Sequence, residues 1–155
     1  MTIKERIAAD MTAAMKAKDA DRLSVLRMLK ARMLEAEVEH RAKQGRDYSL
    51  GDEEALAVIS SYAKQRRDSI DAYRQGGRED LASKEQAELA IVQTYLPAQL
   101  SEEEIRRLAR EAVAACGASS PKDIGAVMKA LMPKVKGAAD GGTVNRIVRE
   151  LLGGA

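Results

Sequence analysis

The sequence predicts an all-α protein, and three observations support this fold class. Apolar residues recur along the chain at the three- and four-residue spacing of one helix face. Helix starts and stops are marked by capping residues, glycines and prolines. No segment alternates apolar and polar residues at period two, and the 155 residues include four Tyr but no Phe or Trp. Strand-favouring aromatic residues are therefore scarce.

Two helices are predicted in the first 45 residues. Thr2 and Glu5 form a capping-box pattern, in which each side chain satisfies a backbone amide at a helix start, and this helix should run to about residue 18. Asp19 and Asp21 can cap a second helix that runs to about residue 43 and ends at Gly45. Its apolar residues exceed a single stripe, so we expect it to be covered on more than one side. These residues are Leu23, Val25, Leu26, Met28, Leu29, Met33 and Leu34.

Two further helices are predicted before residue 97. Ser49 or Asp52 caps a third helix that continues to about residue 75, where Gly76 and Gly77 stop it. A fourth helix begins near residue 79 and is closed by Pro97. We expect these four helices to form an elongated N-terminal helical part, residues 1–97.

Three short helices are predicted after Pro97. Ser101 and Glu104 form a second capping box, Ser120 precedes the next helix, and Pro133 should end that helix. Each helix carries one apolar stripe, and three facing stripes predict a compact three-helix bundle over residues 98–155. The stripes are Ile105, Leu108, Ala109, Ala112 and Val113; Ile124, Val127, Met128, Leu131 and Met132; and Val144, Ile147, Val148, Leu151 and Leu152.

The composition excludes several classes of function. One Cys and one His cannot form a zinc site or an internal disulfide, and the sequence indicates no metal or cofactor. No apolar run approaches the about 18 residues of a transmembrane helix. The first residues do not resemble a secretory signal. We therefore expect a protein of the reducing cytoplasm.

Basic residues are concentrated near the C-terminus. The whole chain carries 26 Lys+Arg against 24 Asp+Glu, and residues 1–97 contain 17 of each kind. Residues 118–149 contain six basic and two acidic side chains. Four of these six basic side chains lie on or beside the connection between the last two helices, where they could serve a nucleic-acid partner.

The connection over residues 133–142 admits two interpretations. The amides that start the last helix could bind phosphate, and Gly141 and Gly142 would let a ligand approach the backbone closely. Alternatively, Asp140 caps this helix and occupies its positive end, while the lysines only solvate the loop. Lysines beside surface loops are common, which favours the second interpretation.

No group of residues has the pattern of an active site. Ser120 and Lys122 could form a Ser/Lys nucleophile pair, but the position of Ser120 before a helix explains it as a cap. We expect His40 to be solvated on a polar helix end. Cys116 is expected to be a half-buried structural thiol.

Motifs along the whole chain resemble one family. The C-terminal motifs resemble the GatB/YqeY domain: Asp123–Lys129, Met132–Gly137, Ala139–Gly141, Val144–Asn145 and Val148. The upstream motifs resemble stand-alone YqeY-like proteins: Arg22–Lys30, Gly77–Arg78 with Asp80, Leu81 and Glu85, and Tyr95–Pro97 with Gln99–Ser101.

The resemblance implies an accessory function in tRNA aminoacylation. A similar domain forms the tail of the B subunit of the glutamine-dependent aminoacyl-tRNA amidotransferase, where it contacts tRNA and performs no chemistry. Similar domains are appended to some glutaminyl-tRNA synthetases. The family's description as a carbon–nitrogen ligase with glutamine as amide donor belongs to the complete enzyme, whose amidase and kinase modules this chain lacks. We therefore expect a non-catalytic tRNA-binding or tRNA-aminoacylation accessory protein.

The local charge and the resemblance together predict a tRNA-contacting edge. Its residues are Lys129, Lys134, Lys136, Gly137, Gly141, Asn145, Arg146 and Arg149. The residue after Gly137 is often basic in the family, whereas here it is Ala138, so one phosphate contact should be missing. An alternative function is that of a helical adaptor for a protein such as a synthetase or amidotransferase subunit. The surplus apolar residues of the second helix would suit that role.

Overall fold

The computed structural model describes residues 1–153, and within them the predicted all-α fold is confirmed. The chain divides into two compact units, Met1–Leu96 and a second unit that begins at Pro97. We call these the N-terminal unit and the C-terminal unit. Each has its own apolar core.

Four helices form the N-terminal unit: α1 (Ile3–Lys16), α2 (Ala20–Gln44), α3 (Asp52–Gln75) and α4 (Glu79–Gln93). α2 packs against the other three helices, and α3 packs most extensively against α4. The core between them includes Ile7, Leu26, Leu29, Ile59 and Val92, all at most 1% exposed. Aliphatic side chains thus supply the central burial that larger aromatic residues provide in many proteins.

The capping predictions hold for α1 but not for α3. Thr2 and Glu5 form the predicted capping box at the start of α1. Neither Ser49 nor Asp52 caps α3, because the N-cap residue is Gly51, whose amide donates to the Glu54 carboxylate at 3.0 Å. The Asp52 carboxylate instead accepts a hydrogen bond of 2.9 Å from the amide of Ile3 and so ties α1 to α3.

The fourth helix is shorter than the sequence predicts. It ends at Gln93, and the amides of the next three residues donate to carbonyls three positions earlier. This tighter turn places Tyr95 in the core, where it is 4% exposed. Burial of that side chain explains why the helix ends before Pro97.

Three α-helices and a short 3₁₀ helix form the C-terminal unit: α5 (Glu102–Cys116), the 3₁₀ helix Pro121–Asp123, α6 (Ile124–Val135) and α7 (Gly141–Leu151). Each α-helix packs against the other two. Every residue of the three predicted stripes lies in their common core or packs against it. The helix ends that the connection between α6 and α7 joins are therefore both packed in this core.

The prediction that Pro133 ends the sixth helix is wrong. α6 continues through Pro133 to Val135. Val135 is fully buried in the core beside Leu131, so the extra turn adds apolar burial that offsets the hydrogen bond lost at proline. The connection to α7 consequently spans only residues 136–140.

Candidate nucleic-acid interface

The eight predicted contact residues all belong to the C-terminal unit. Lys129 and Lys134 lie on α6, Lys136 and Gly137 lie in the connection, and the other four lie on α7. The five basic side chains are exposed, whereas Gly137, Gly141 and Asn145 are half-buried.

The connection between α6 and α7 is held by the residues that precede α5. The Leu100 amide donates to the Ala138 carbonyl at 2.8 Å, and the Gln99 side-chain amide donates to the Gly137 carbonyl at 2.9 Å. Gly137 has a φ of +77°, a conformation that side chains disfavour. Gly137 is therefore required for the turn itself, whichever ligand the loop contacts.

A carboxylate occupies the start of α7. The Asp140 side chain accepts hydrogen bonds from the Thr143 amide at 3.2 Å and from the Thr143 hydroxyl at 3.3 Å. A Cβ atom at Gly142 would lie 3.1 Å from this carboxylate, so glycine leaves room for the cap. Of the two interpretations of the loop, the structure thus has the Asp140 cap. An incoming phosphate would meet a negative charge there.

Arg146 belongs to an ion-pair network between α5 and α7. Its guanidinium donates to Glu102 and to Glu150, the latter at 2.9 Å, and Glu150 also accepts from Arg106 at 3.1 Å. The hydrogen bond to Glu150 raises the pKa of Arg146, and the one from Arg106 lowers the pKa of Glu150. All these side chains reach solvent, so the network is a surface feature. Arg146 is less available to phosphate than its position in the sequence indicates.

The basic side chains of α6 point in different directions. Lys129 and Lys134 are five positions apart, which separates them by about 140° around a helix. Lys129 shares a face with Met132, and Met132 Cε would lie 3.9 Å from a Cβ atom at Gly141. Lys129 is therefore on the side of α6 near the start of α7, whereas Lys134 is on another side.

The acidic side chains of the C-terminal unit are largely engaged. Six of the seven form caps or ion pairs: Glu102, Glu104, Glu111, Asp123, Asp140 and Glu150. Five exposed basic side chains have no acidic group within 4.0 Å among residues 1–153: Arg110, Lys122, Lys129, Lys134 and Arg149. The unit therefore presents cations that internal carboxylates do not contact.

Ser120 is part of a helix start in the structure. The amides of Ser119 and Ser120 donate to the Asp123 carboxylate at 3.0 and 3.2 Å, which lowers the pKa of Asp123. Cys116 is exposed, so the prediction of a half-buried thiol is wrong. It is the last residue of α5, and its thiol donates to the Ala126 carbonyl at 3.8 Å. Within residues 1–153, no three His, Cys, Asp or Glu side chains are grouped to hold a metal ion, and no helix could cross a membrane.

Sequence reasoning missed a buried carboxylate in the N-terminal unit. Glu37 on α2 is 6% exposed and accepts from Lys4 Nζ at 2.7 Å and from Arg41 at 2.5 Å. The hydrogen bond from Lys4 lowers the pKa of Glu37, while burial opposes that shift. The four-residue spacing of Leu29, Met33 and Glu37 could have predicted this burial, because Glu37 continues the buried stripe of the other two residues.

Upstream motif residues also stabilise the N-terminal unit. The Tyr95 hydroxyl donates to Asp10 at 2.5 Å, and Arg22 approaches the same carboxylate at 4.0 Å. Burial is the main cause that raises the pKa of Tyr95 to about 12, and the hydrogen bond to Asp10 is the second cause. Glu85 pairs with Arg66 at 2.9 Å. The Tyr95, Arg22 and Glu85 motifs thus have structural explanations within one unit.

Over residues 1–153, the fold and the site define a class of protein: all-helical, with three α-helices in its C-terminal unit and exposed cations that no carboxylate of those residues contacts. The chain belongs to the Yqey-like protein family, whose sequence pattern matches residues 4–152. This confirms the predicted resemblance to stand-alone YqeY-like proteins.

Curated relatives occur in fungi and share the name "Altered inheritance of mitochondria protein 41, mitochondrial". The relative from Pyrenophora tritici-repentis is 30% identical over 152 residues, which cover 96% of this chain and 80% of the relative. Those from Eremothecium gossypii and Vanderwaltozyma polyspora are 36% and 33% identical over 57% and 56% of this chain. These two matches span 46% and 44% of the relatives' own lengths, less than half in each case.

The predicted cytoplasmic location is wrong. Each of these three relatives is named as a mitochondrial protein. The prediction depended on cysteine content and on the first residues. Neither feature distinguishes the cytoplasm from another compartment that keeps thiols reduced.

Proposed function

We propose that this chain is a non-catalytic RNA-binding accessory protein that acts through its C-terminal unit, with tRNA as the class of ligand. The observation that carries the proposal is the set of exposed cations that have no acidic neighbour within residues 1–153, foremost Lys129, Lys134 and Arg149. The resemblance to the tail of the amidotransferase B subunit supports tRNA as the ligand.

Recognition should depend on phosphate groups and backbone shape. The last aromatic residue in the sequence is Tyr95, so the C-terminal unit offers no ring on which a base could stack. Lysine and arginine side chains on two helices can instead follow the phosphates of a folded RNA. Such contacts release counterions, and the affinity should fall steeply as salt rises.

Fluorescence anisotropy with labelled, unfractionated tRNA between 50 and 200 mM salt tests the proposal. The parent chain should bind with a dissociation constant of about 10⁻⁴ to 10⁻⁶ M at physiological salt. Lys129→Gln/Lys134→Gln/Arg149→Gln should bind more weakly. Its slope of log affinity against log salt should be shallower by about two to three, because three phosphate contacts are lost.

A matched variant separates a localised interface from general charge attraction. Lys16→Gln/Lys64→Gln/Lys84→Gln removes the same charge from exposed positions of the N-terminal unit. This control should keep the parental slope. Absence of tRNA binding by the parent, or an equal loss in both variants, would refute the proposal. Partners captured from a lysate that persist after nuclease treatment would favour the adaptor alternative.

A further inference from the structure

An apolar stripe remains exposed on α2. Met28, Leu34 and Val38 are 45%, 55% and 56% exposed, and Ala31 lies between Met28 and Leu34 on the same side of the helix. The expected coverage of α2 therefore extends to Val25, which is 3% exposed, but not to Met28 or Leu34. Exposed large apolar residues at helical spacing are typical of a helix-packing surface.

The stripe continues into a groove beside α1. Leu34 lines both the exposed stripe and a groove of about 380 Å³ whose other apolar walls include Ile7, Ala8 and Met33. An element packed along α2 would therefore contact a concave surface as well as a convex one. This geometry suits another helix.

The charges beside the stripe change sign halfway along it. Arg27, Lys30 and Arg32 flank its first half, and Glu35 and Glu39 flank its second half. Arg32 and Glu35 pair within the helix at 3.3 Å. Arg27 and Glu39 are exposed and have no ion pair among residues 1–153. The surface is thus basic at one end, acidic at the other and apolar in between.

We propose that this face binds a second copy of the same chain, with the two α2 helices antiparallel. A two-fold axis crossing α2 near position 33 places Arg27 level with Glu39 of the second copy, and Met28 level with its Val38, so the basic half of each helix runs beside the acidic half of the other. Each attractive contact then occurs twice. A parallel arrangement would instead bring like charges together, so the charge pattern selects the antiparallel one.

The dimer should be weak and should depend on concentration. The segment from Arg27 to Glu39 is about 18 Å long at the rise of an α-helix. One helix face of this length is smaller than the about 800 Å² that each partner buries in a standard stable interface. Exposed ion pairs at its ends are screened by salt, so association should be strongest at low salt.

Sedimentation equilibrium of the full chain over a wide concentration range tests this proposal. The parent should associate reversibly to a dimer. Arg27→Glu and Glu39→Arg should each weaken association by about tenfold or more, because each places like charges opposite each other twice. The double variant should recover the parental constant, and an equimolar mixture of the two single variants should form a heterodimer.

Lys64→Glu on α3 is the matched control, because it reverses an exposed charge away from the stripe. It should leave the dimerisation constant unchanged. Circular dichroism should show parental helix content in every variant, since all the substituted side chains are exposed. A parent that stays monomeric overturns the proposal and leaves the stripe to a different protein. A dimer that is insensitive to Arg27→Glu and Glu39→Arg also overturns it.

Discussion

Glu37 shows how one residue joins three segments of the N-terminal unit. Its buried carboxylate accepts from Lys4 on α1 and from Arg41 one turn later on α2. Lys4 Nζ also donates to Ser49 at 3.1 Å, and Arg41 Nε donates to the Tyr48 carbonyl at 2.9 Å. The carboxylate thus fixes the two cations that hold the connection before α3. Loss of the Glu37 charge should therefore weaken the contacts of both cations, and so destabilise the connection before α3 as well as α2.

We predict that Glu37→Gln lowers the free energy of unfolding of the N-terminal unit by about 1–2 kcal/mol at neutral pH, because it weakens charge-assisted hydrogen bonds. The pKa of Glu37 is lowered in the folded chain, so its stabilisation is complete above its ordinary pKa of 4.5. That stabilisation is lost as pH falls through the folded value. Urea denaturation from pH 7 to pH 3 should show the parent and the variant converging in acid.

Asp68→Asn is the control for this measurement. Asp68 is exposed on α3 and has no ion pair among residues 1–153. Its substitution should change the free energy of unfolding of the N-terminal unit by less than about 0.5 kcal/mol. A constant difference between parent and Glu37→Gln across the pH range would contradict the role given to the Glu37 charge.

Among the elements, α7 combines a structural cap with the proposed RNA-binding face. Asp140 caps its first turn, Ile147 and Val148 are fully buried, and Arg149 is exposed in its last turn. The helix is only 11 residues long and depends on packing and capping for its stability. The Asp140 cap also places a negative charge beside the basic connection. The carboxylate at position 140 should therefore stabilise the helix but weaken the proposed binding of RNA.

Substitution of Asp140 should separate these two effects. Asp140→Asn keeps a side chain that caps helices well, so stability should change little while tRNA affinity rises a few-fold with the loss of a negative charge. Asp140→Ala also removes the charge but should cost about 1 kcal/mol of stability. Thermal denaturation and tRNA anisotropy on both variants measure the two effects. An unchanged tRNA affinity of a stable Asp140→Asn would place phosphate elsewhere on the unit.

For the whole molecule, the separate cores predict separate unfolding. The N-terminal core gathers around residues such as Leu29 and Ile59, and the C-terminal core around Leu131 and Ile147. Each core is a contiguous cluster of buried apolar residues, as expected for a unit that can fold by itself. A single free energy of unfolding should therefore not describe the chain.

Leu131→Ala should destabilise the C-terminal unit by about 2–5 kcal/mol, because it opens a cavity at a fully buried position. Hydrogen exchange followed by mass spectrometry should show faster exchange in α5, α6 and α7, with parental protection in α2 and α3. Leu29→Ala is the reciprocal variant and should accelerate exchange in the N-terminal unit alone. Equal acceleration of both units by either variant would show that the chain unfolds as one cooperative body.

Local patterns predicted most of the elements. The helical period and the capping boxes act within a few residues, so the starts of α1 and α5 follow directly from Thr2, Glu5, Ser101 and Glu104. Predictions failed where packing overrode a local signal. Val135 extends α6 past Pro133, and Tyr95 turns the chain out of α4.

By itself the sequence determined the all-α class, the seven α-helices of residues 1–153 and the family, because helical periodicity, caps and motifs are properties of neighbouring residues. Only the tertiary structure decided which charges are compensated. It paired Arg146 with Glu102, buried Glu37 against Lys4 and left Lys129 without an acidic neighbour within residues 1–153. The physical reason is that ion pairing and burial depend on distances between helices far apart in the chain, which spacing within one helix does not specify.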